Sequence, residues 1–299
     1  MSMKSVVALL LVAAVAQATH PGEKTRTVEI DAELPPDPVF QYTLEGEAVE
    51  QISLEVVGFD RNDVIDYEPW FREHYYPAET YHNGGVNDAI RGEVPTPEVP
   101  SSIVANGRTL YLYQVIYGWD TLLATFGQPP NRFGVVLDPT VLVSWDYEGE
   151  SPRWAVDFLS WGNAPGAVVD PEFVFQAVRW AEEWNGILYV SHFHRTYAES
   201  SGGLNACITA IDLDDMSVLW RSQPLVSNSE NFLVIGDTIV TGYGFTNEAD
   251  YVYLLDRRTG EVYDRVDVRS APEYLVHEGE MLYVRCYDAD YEFEIERRH

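Results

Sequence analysis

The sequence predicts an all-β protein, a β-propeller built from four-stranded antiparallel blades. Four hairpins recur along the chain, each made of a strand, a tight turn with glycine and a second strand. Their turn glycines are Gly107, Gly186, Gly236 and Gly279. Glycine turns between β-rich runs are typical of hairpins, and many short strands at regular spacing favour a closed all-β architecture. Helical amphipathic patterns are scarce, and Ala177–Trp184 is assigned to a strand because an Asn-Gly turn follows it.

A second repeated unit follows the first three hairpins. It consists of an apolar run, a turn with aspartate and an aromatic residue, and it reads VVLDPTVLVSW, AIDLDDMSVLW and LLDRRTGEVY. The turn glycines are 79, 50 and 43 residues apart, and the last two intervals are close to the length of one four-stranded blade. We interpret the long interval as one blade with two insertions, at 118–132 within the blade and at 151–172 between blades. About five to seven blades are expected, of which at least four are recognisable.

The predicted domain organisation is a leader, a linker and one propeller. Residues 39–299 form the propeller domain, with a degenerate blade region at 39–99 and recognisable blades from 100 onward. The last repeat lacks its fourth, outer strand. A strand from the N-terminus can close such a ring and cover an exposed edge, and the candidate is residues 25–30 (TRTVEI) within the linker 19–38.

The charge balance excludes one class of function. The chain has 19 Lys and Arg against 48 Asp and Glu, a formal net charge of -29. Nucleic-acid binding needs a basic face, so no nucleic-acid partner is expected, and charge also disfavours binding to anionic lipid. The surplus suits cationic ligands or divalent cations, or it forms a solvated acidic surface.

The N-terminus predicts export. Residues 1–18 (MSMKSVVALLLVAAVAQA) have a positive start, a short apolar stretch and a small-residue cleavage pattern, as secretory signal peptides do. No cysteine follows for a lipid anchor, and no other run is long enough to span a membrane. We therefore expect a secreted or periplasmic protein.

The chain has two cysteines, Cys207 and Cys286. An exported protein with one pair usually forms a disulfide. The repeat register instead places Cys207 on the third strand of one blade and Cys286 on the second strand of a blade two units further on. A disulfide needs Cα atoms within about 7 Å, so we predict that the two are not bonded to each other.

Three segments resemble the PQQ-like β-propeller repeat family. They are Asn185-Gly186-Ile187-Leu188-Tyr189-Val190, Ala210-Ile211-Asp212-Leu213 with Trp220, and Asp256-Arg257-Arg258-Thr259-Gly260-Glu261. The resemblance covers residues 173–296 and, less closely, 101–146. It implies the propeller shape, in quinoprotein dehydrogenases or in non-catalytic scaffolds. The dehydrogenases of the family use an adjacent cysteine pair, which this chain lacks, so neither the quinone PQQ nor another cofactor is predicted. Trp145 and Trp220 are interpreted as blade core.

Five residues are candidates for ligand binding. His192 and His194 point to one face if they lie on one strand, and two histidines on one face can begin a zinc or copper site that needs a third ligand. The alternative is two surface or channel-lining histidines without metal. Trp180, Glu183 and Trp184 form the second patch, because tryptophan platforms beside carboxylates suit sugars, and the alternative is a half-buried hairpin.

The predicted function is a binding scaffold. The chain has no nucleophile elbow, zincin, Walker A or dinucleotide motif, and the acidic runs at Asp212-Leu213-Asp214-Asp215 and Asp288-Ala289-Asp290 lack the spacing of a calcium loop. We therefore expect an exported, non-catalytic propeller that binds a protein or a small ligand. The alternative is an enzyme on the same scaffold, either a quinone- or metal-dependent oxidoreductase or a sugar-active enzyme.

Overall fold

The computed structural model describes residues 27–36, 51–75, 99–117, 122–129, 137–145, 151–162 and 174–298. The predicted signal peptide and much of the degenerate region before residue 99 lie outside these ranges. The described chain is all-β, with strands arranged in four sheets, and the predicted fold class is confirmed. Within these ranges no helix has the length and apolarity to cross a membrane.

Three of the four sheets are four-stranded antiparallel blades. The second sheet contains β8 (Ala177–Trp184), β9 (Ile187–Phe193), β10 (Cys207–Asp212) and β11 (Val218–Arg221). The third contains β12 (Leu233–Ile235), β13 (Thr238–Tyr243), β14 (Tyr251–Asp256) and β15 (Val262–Asp267). The fourth contains β16 (Pro272–Glu278), β17 (Met281–Cys286), β18 (Asp290–Arg298) and β2 (Gln51–Asp60). In each, the predicted hairpin supplies the first two strands.

The turn between β8 and β9 has the backbone conformation that its Asn-Gly sequence predicts. Asn185 and Gly186 both have positive φ, at 51° and 76°. A two-residue hairpin turn of this kind matches the natural twist of the flanking strands, and asparagine and glycine are the residues that adopt positive φ at least cost.

An N-terminal strand completes the fourth blade, but it is not the predicted one. β2 pairs antiparallel with β18 from Gln51↔Arg298 to Asp60↔Asp290. The described part of the 25–30 segment, β1 (Thr27–Ile30), pairs instead in parallel with β3 (Ser102–Ala105), so its assignment to the last blade is wrong. β18 has nine residues, and the ten-residue β2 covers its whole edge where a four-residue strand would leave most backbone groups unpaired.

The first sheet has six strands rather than four. Its strand order is β1, β3, β4 (Arg108–Tyr117), β5 (Leu122–Gln128), β6 (Leu137–Trp145) and β7 (Pro152–Asp157). The segments predicted as insertions are therefore wrong in part, because 118–132 contains β5 and 151–172 contains β7. The predicted turn in VVLDPTVLVSW is also wrong, since LDPTVLVSW is the continuous strand β6.

The two edges of this first sheet are joined by the same N-terminal segment. β1 covers the edge of β3, and Glu33 then bridges the edge of β7, where its N–H donates to the Ala155 carbonyl at 2.8 Å. The sheet is thereby rolled around a core of its own. That core takes side chains from all six strands, namely Ile30, Ile103, Ala105, Leu110, Leu122, Ala124, Phe126, Val141, Val143, Trp145 and Ala155.

The sheets pack face to face in chain order. One buried core joins the first, second and third sheets and includes Leu142, Val190, Trp220 and Leu255. A second core joins the third and fourth sheets. Trp145 and Trp220 are buried, as predicted. On the other face of the fourth sheet, a short helix α1 (Glu68–Trp70) and the π-helical turn after it pack on Val276.

Both cysteines are free thiols, which confirms the predicted absence of a disulfide between them. Cys207 lies on β10 and Cys286 on β17, with the third sheet between their blades. Burial raises the pKa of the Cys207 thiol to about 11, so it stays protonated and unreactive at neutral pH.

Candidate functional site

Three residues at β-bulges come from three different sheets. The register of β4 with β5 shifts around Tyr113, that of β8 with β9 around Arg179, and that of β16 with β17 around Glu273. A bulge leaves one residue outside the ladder and turns its side chain away from the regular alternation, and bulges are over-represented beside binding sites. These residues from three sheets belong to one polar network, which we call the bulge cluster: Tyr67, Tyr113, Arg179, Arg195, Glu230 and Glu273.

Arg179 is the buried centre of the bulge cluster. Its side chain is shielded from solvent and its guanidinium lies 5.7 Å from the centroid of the Phe193 ring. Nη1 donates to the Tyr113 hydroxyl at 2.5 Å, and Nη2 forms an ion pair with Glu230, which directly precedes β12. Burial lowers the pKa of Arg179, and repulsion from Arg195 contributes in the same direction.

A second guanidinium converges on the same phenol oxygen. Arg195 is exposed just beyond β9, and its Nη2 donates to the Tyr113 hydroxyl at 2.6 Å. Two arginines thus share one hydroxyl acceptor. Glu230 pairs with Arg179, and Asp138 of β6 interacts electrostatically with Arg195. Like charges repel, so the pair is stabilised by an anion placed between or beside them. Most of the N–H donors of Arg195 remain for such an anion, because it makes one hydrogen bond within the described residues.

The other end of the bulge cluster is acidic and partly buried. The backbone N–H of Glu230 donates to the carbonyl of Glu273 at 2.7 Å, and the Tyr67 hydroxyl donates to Glu273 Oε2 at 3.0 Å. Burial raises the pKa of Glu273 and of Tyr67. The phenol therefore keeps its proton and holds the carboxylate in place, and this end fixes the position of Glu230.

Arg285 binds the 61–67 segment, which carries Tyr67 of the bulge cluster. It is fully buried on β17, and its Nη2 donates to the carbonyls of Asp63 at 2.8 Å and Asp66 at 3.1 Å. Nη1 pairs with Asp290 at 3.2 Å, and the guanidinium lies 4.5 Å from the Tyr67 ring centroid. Its N–H donors thus position Tyr67 against Glu273.

His192 is buried among aromatic rings. Its imidazole lies 4.8 Å from the Phe158 ring and 5.2 Å from the Trp161 ring, between centroids, and neither ring nitrogen has a hydrogen-bond partner. Burial holds its pKa well below the usual value, so the ring is neutral. Cys207 is its partner in the antiparallel ladder.

His194 has different surroundings. It follows the end of β9 and its Nε2 hydrogen-bonds Ser201 Oγ at 2.8 Å. Burial lowers its pKa, and Glu248 opposes that effect. The two imidazoles therefore contact separate groups. Within the described residues no group of three or more His, Cys, Asp or Glu is arranged to hold a metal ion.

The structure does not bring Trp180, Glu183 and Trp184 onto one platform. Trp180 is a core residue, with its indole Nε1 3.4 Å from Glu182. Trp184 lies near Arg257 of the third sheet, whereas Glu183 points to the opposite side, 3.9 Å from Arg153 of the first sheet. Strand alternation separates them, because neighbouring residues face opposite sides of a sheet. That these five residues bind a ligand stays a prediction.

The sequence reading missed the bulge cluster. Its one local signal is Arg179, a basic residue inside the strand AVRWAEEW of a chain that has only 19 basic residues. Tyr113 and Glu273 carry no such mark, since a bulge depends on the partner strand.

Comparisons with known proteins give only distant similarities. No family model matches the chain, and no curated protein matches it. Among solved structures, BamB from Moraxella catarrhalis matches with a TM-score of 0.33 and 13% identity over 66% of this chain and 70% of that chain. Glutaminyl cyclase from Myxococcus xanthus matches with a TM-score of 0.35 and 11% identity, over 65% of this chain and 80% of that chain. A europium-containing methanol dehydrogenase matches with a TM-score of 0.33 and 14% identity, over 55% of this chain and 26% of that chain. These values are too low to carry an argument about function.

Proposed function

We propose that this protein is an exported, non-catalytic propeller with PQQ-like blades that binds an anionic ligand at the bulge cluster. The ligand carries a carboxylate or phosphate group, which Arg179 and Arg195 hold with charge-assisted hydrogen bonds. The observation that carries the proposal is the convergence of two guanidiniums on the Tyr113 hydroxyl.

The electrostatics of the whole chain support this assignment. A protein with a net charge of -29 repels anions over most of its surface, so two adjacent arginines that share one hydroxyl acceptor are a local concentration of positive charge. Guanidinium groups match carboxylate and phosphate geometry, and hydrogen bonds between charged partners are about twice as strong as neutral ones.

The position of the site supports a binding role rather than a structural one. A buried ion pair alone needs only Arg179 and Glu230. Arg195 adds a second charge that is exposed, so a ligand from solvent contacts Arg195 directly, and the Arg179 side chain beside it is 10% accessible. Rigid strands position the anchoring groups, which lowers the entropy cost of binding.

A thermal-shift comparison tests the proposal. Citrate and inorganic phosphate, each against sodium chloride of equal ionic strength, are expected to raise the melting temperature of the wild-type protein, because a ligand that binds only the folded state stabilises it. Arg195→Gln is expected to abolish the shift. Arg265→Gln, a change at an exposed arginine of β15 on the Tyr251 ring, is the matched control and keeps it. Equal shifts in both variants refute the site.

An absorbance spectrum and a metal analysis of the purified protein separate this proposal from an enzyme. A quinone spectrum, or a transition metal at one per chain, contradicts a simple binding scaffold. We expect neither.

A further inference from the structure

β2 has one edge that no described strand covers. It is the outermost strand of the fourth sheet and pairs only with β18. The Tyr263 hydroxyl contacts both the N–H and the carbonyl oxygen of Ile52, at 3.2 and 3.4 Å, and so closes the open edge at that residue. In an antiparallel ladder alternate residues direct their backbone groups to the same side, so Leu54 directs its N–H and carbonyl to the open edge as Ile52 does. The pairing of β18 supports this direction. Ile295 lies opposite Leu54 and donates its N–H to the carbonyl of Glu280, on the side of β18 that faces away from β2.

Exposed apolar side chains line this edge. Val56, Val57 and Phe59 are 45%, 50% and 48% exposed, and all three lie within four residues of one strand. Isolated exposed hydrophobic residues are ordinary, but an apolar group on an open strand edge invites strand addition.

The outer face of the same two strands is acidic. Glu292, Glu294 and Glu296 alternate along β18, all exposed, and Glu55 of β2 lies directly opposite Glu294. The ion pairs formed by described residues include none of these four carboxylates. Like charges directly opposed in a sheet are destabilising, so the isolated protein carries a cost here that a basic neighbour removes.

We propose that the open edge of β2 is a docking site for an extended segment of a partner protein in which apolar and basic side chains alternate. Backbone groups of the segment bond to Leu54 and its neighbours as an added strand. A bulge at Val57 puts Val56 and Phe59 on the same face of β2. Period-2 alternation in the added strand then places one set of its side chains on these two residues and the other set beside Glu55 and Glu294. A second copy of this chain does not fit, because pairing two acidic edges brings like charges together.

Fluorescence anisotropy with labelled peptides tests this site. The probe is a soluble peptide of alternating valine and lysine, and the control peptide has the same composition with the valines grouped at one end. The alternating peptide is expected to bind at least tenfold more tightly. Equal affinity for the two peptides means simple charge attraction and overturns the proposal.

Two variants locate the binding. Leu54→Pro removes an outward N–H without touching the ladder to β18, and Glu55→Arg reverses a charge on an exposed position. Each is expected to weaken binding of the alternating peptide at least tenfold, while Glu261→Arg, in an exposed turn of the third blade, leaves it unchanged. Circular dichroism confirms folding, and Glu55→Arg keeps the test decisive if Leu54→Pro unfolds the chain. Unchanged affinity of the alternating peptide for Glu55→Arg overturns the proposal. It is also overturned if the wild-type protein is a dimer and Leu54→Pro makes it a monomer.

Discussion

The indole ring of Trp220 lies directly against Gly260. A Cβ added to Gly260 would be 2.3 Å from Trp220 Cε3, and the indole Nε1 donates to the Arg257 carbonyl at 3.1 Å. The aromatic residue that ends the unit of the second blade therefore packs on the turn of the third. This contact gives a physical reason for the repeated aspartate, turn and aromatic pattern, since each unit needs its neighbour to be covered.

Replacing Gly260 by alanine is expected to destabilise the fold by about 2–4 kcal/mol, because the new methyl group clashes with the indole and the residue has a φ of 72°. Gly107→Ala is the matched control: its φ is 74°, but nothing lies within 4 Å of an added Cβ, so about 1 kcal/mol is expected. Urea unfolding measures both. Equal losses would show that the Trp220 contact is not the cause.

Arg285→Gln is expected to lower the free energy of unfolding by about 3–5 kcal/mol, the usual cost of breaking a buried ion pair. The loss removes the charged donor of the Asp63 and Asp66 carbonyls and leaves Asp290 with only the Asn62 amide as a side-chain donor among the described residues. Limited proteolysis should then cut first within residues 61–75. Arg265→Gln, on an exposed strand position, serves as the control. If Arg285→Gln and Arg265→Gln gave the same cleavage pattern, Arg285 would not hold the 61–75 segment.

His192 is expected to make stability depend on pH. Its folded-state pKa lies well below its unfolded value, so the unfolded chain binds the extra proton as pH falls. The contribution of His192 to the free energy of unfolding is therefore fully present above about pH 6.5. It declines below that pH, with a slope approaching about 1.4 kcal/mol per pH unit for one proton.

The comparison of variants isolates that histidine. Asp250, whose pKa is raised to about 6 mainly by burial, titrates in an overlapping range with the opposite sign, so the wild-type curve alone is ambiguous. Stability measured by urea at several pH values between 5 and 7 should depend less on pH in His192→Leu than in His277→Leu. Parallel curves for the two variants would refute the assignment.

Alkylation with mass spectrometry tests the thiol state. In the folded protein at pH 8, Cys207 and Cys286 should react slowly, because both are buried and burial raises the pKa of both thiols. In denaturant without reductant, both should be modified. A peptide pair linked through these cysteines would contradict the observed blade order.

The parts of the fold that were predictable are those with local signals. The hairpins of the second, third and fourth sheets each carry their turn glycine, and Asn185-Gly186 fixes one of them without reference to any other segment. β5 and β7 lie in the segments predicted as insertions, because the interval of 79 residues between Gly107 and Gly186 exceeds the length of one blade. The predicted partner of β18 is also wrong, since strand pairing between distant segments depends on the length of the edge to be covered.

The candidate site was not predictable for a similar reason. Tyr113 and Arg179 are 66 residues apart and meet through bulges in different sheets, and a bulge leaves no regular pattern in one sequence. The histidine pair was visible as a motif, yet His192 and His194 contact different groups because β9 ends between them.

Isothermal titration calorimetry of citrate tests the central claim most directly. At constant ionic strength the wild-type protein is expected to bind one citrate per chain, Arg195→Gln at least tenfold more weakly, and Arg265→Gln with wild-type affinity. Loss of one charge-assisted contact is worth roughly 1.5–3 kcal/mol, which corresponds to that change. No heat of binding to the wild type, or equal affinity in Arg195→Gln, would contradict an anion site at the bulge cluster.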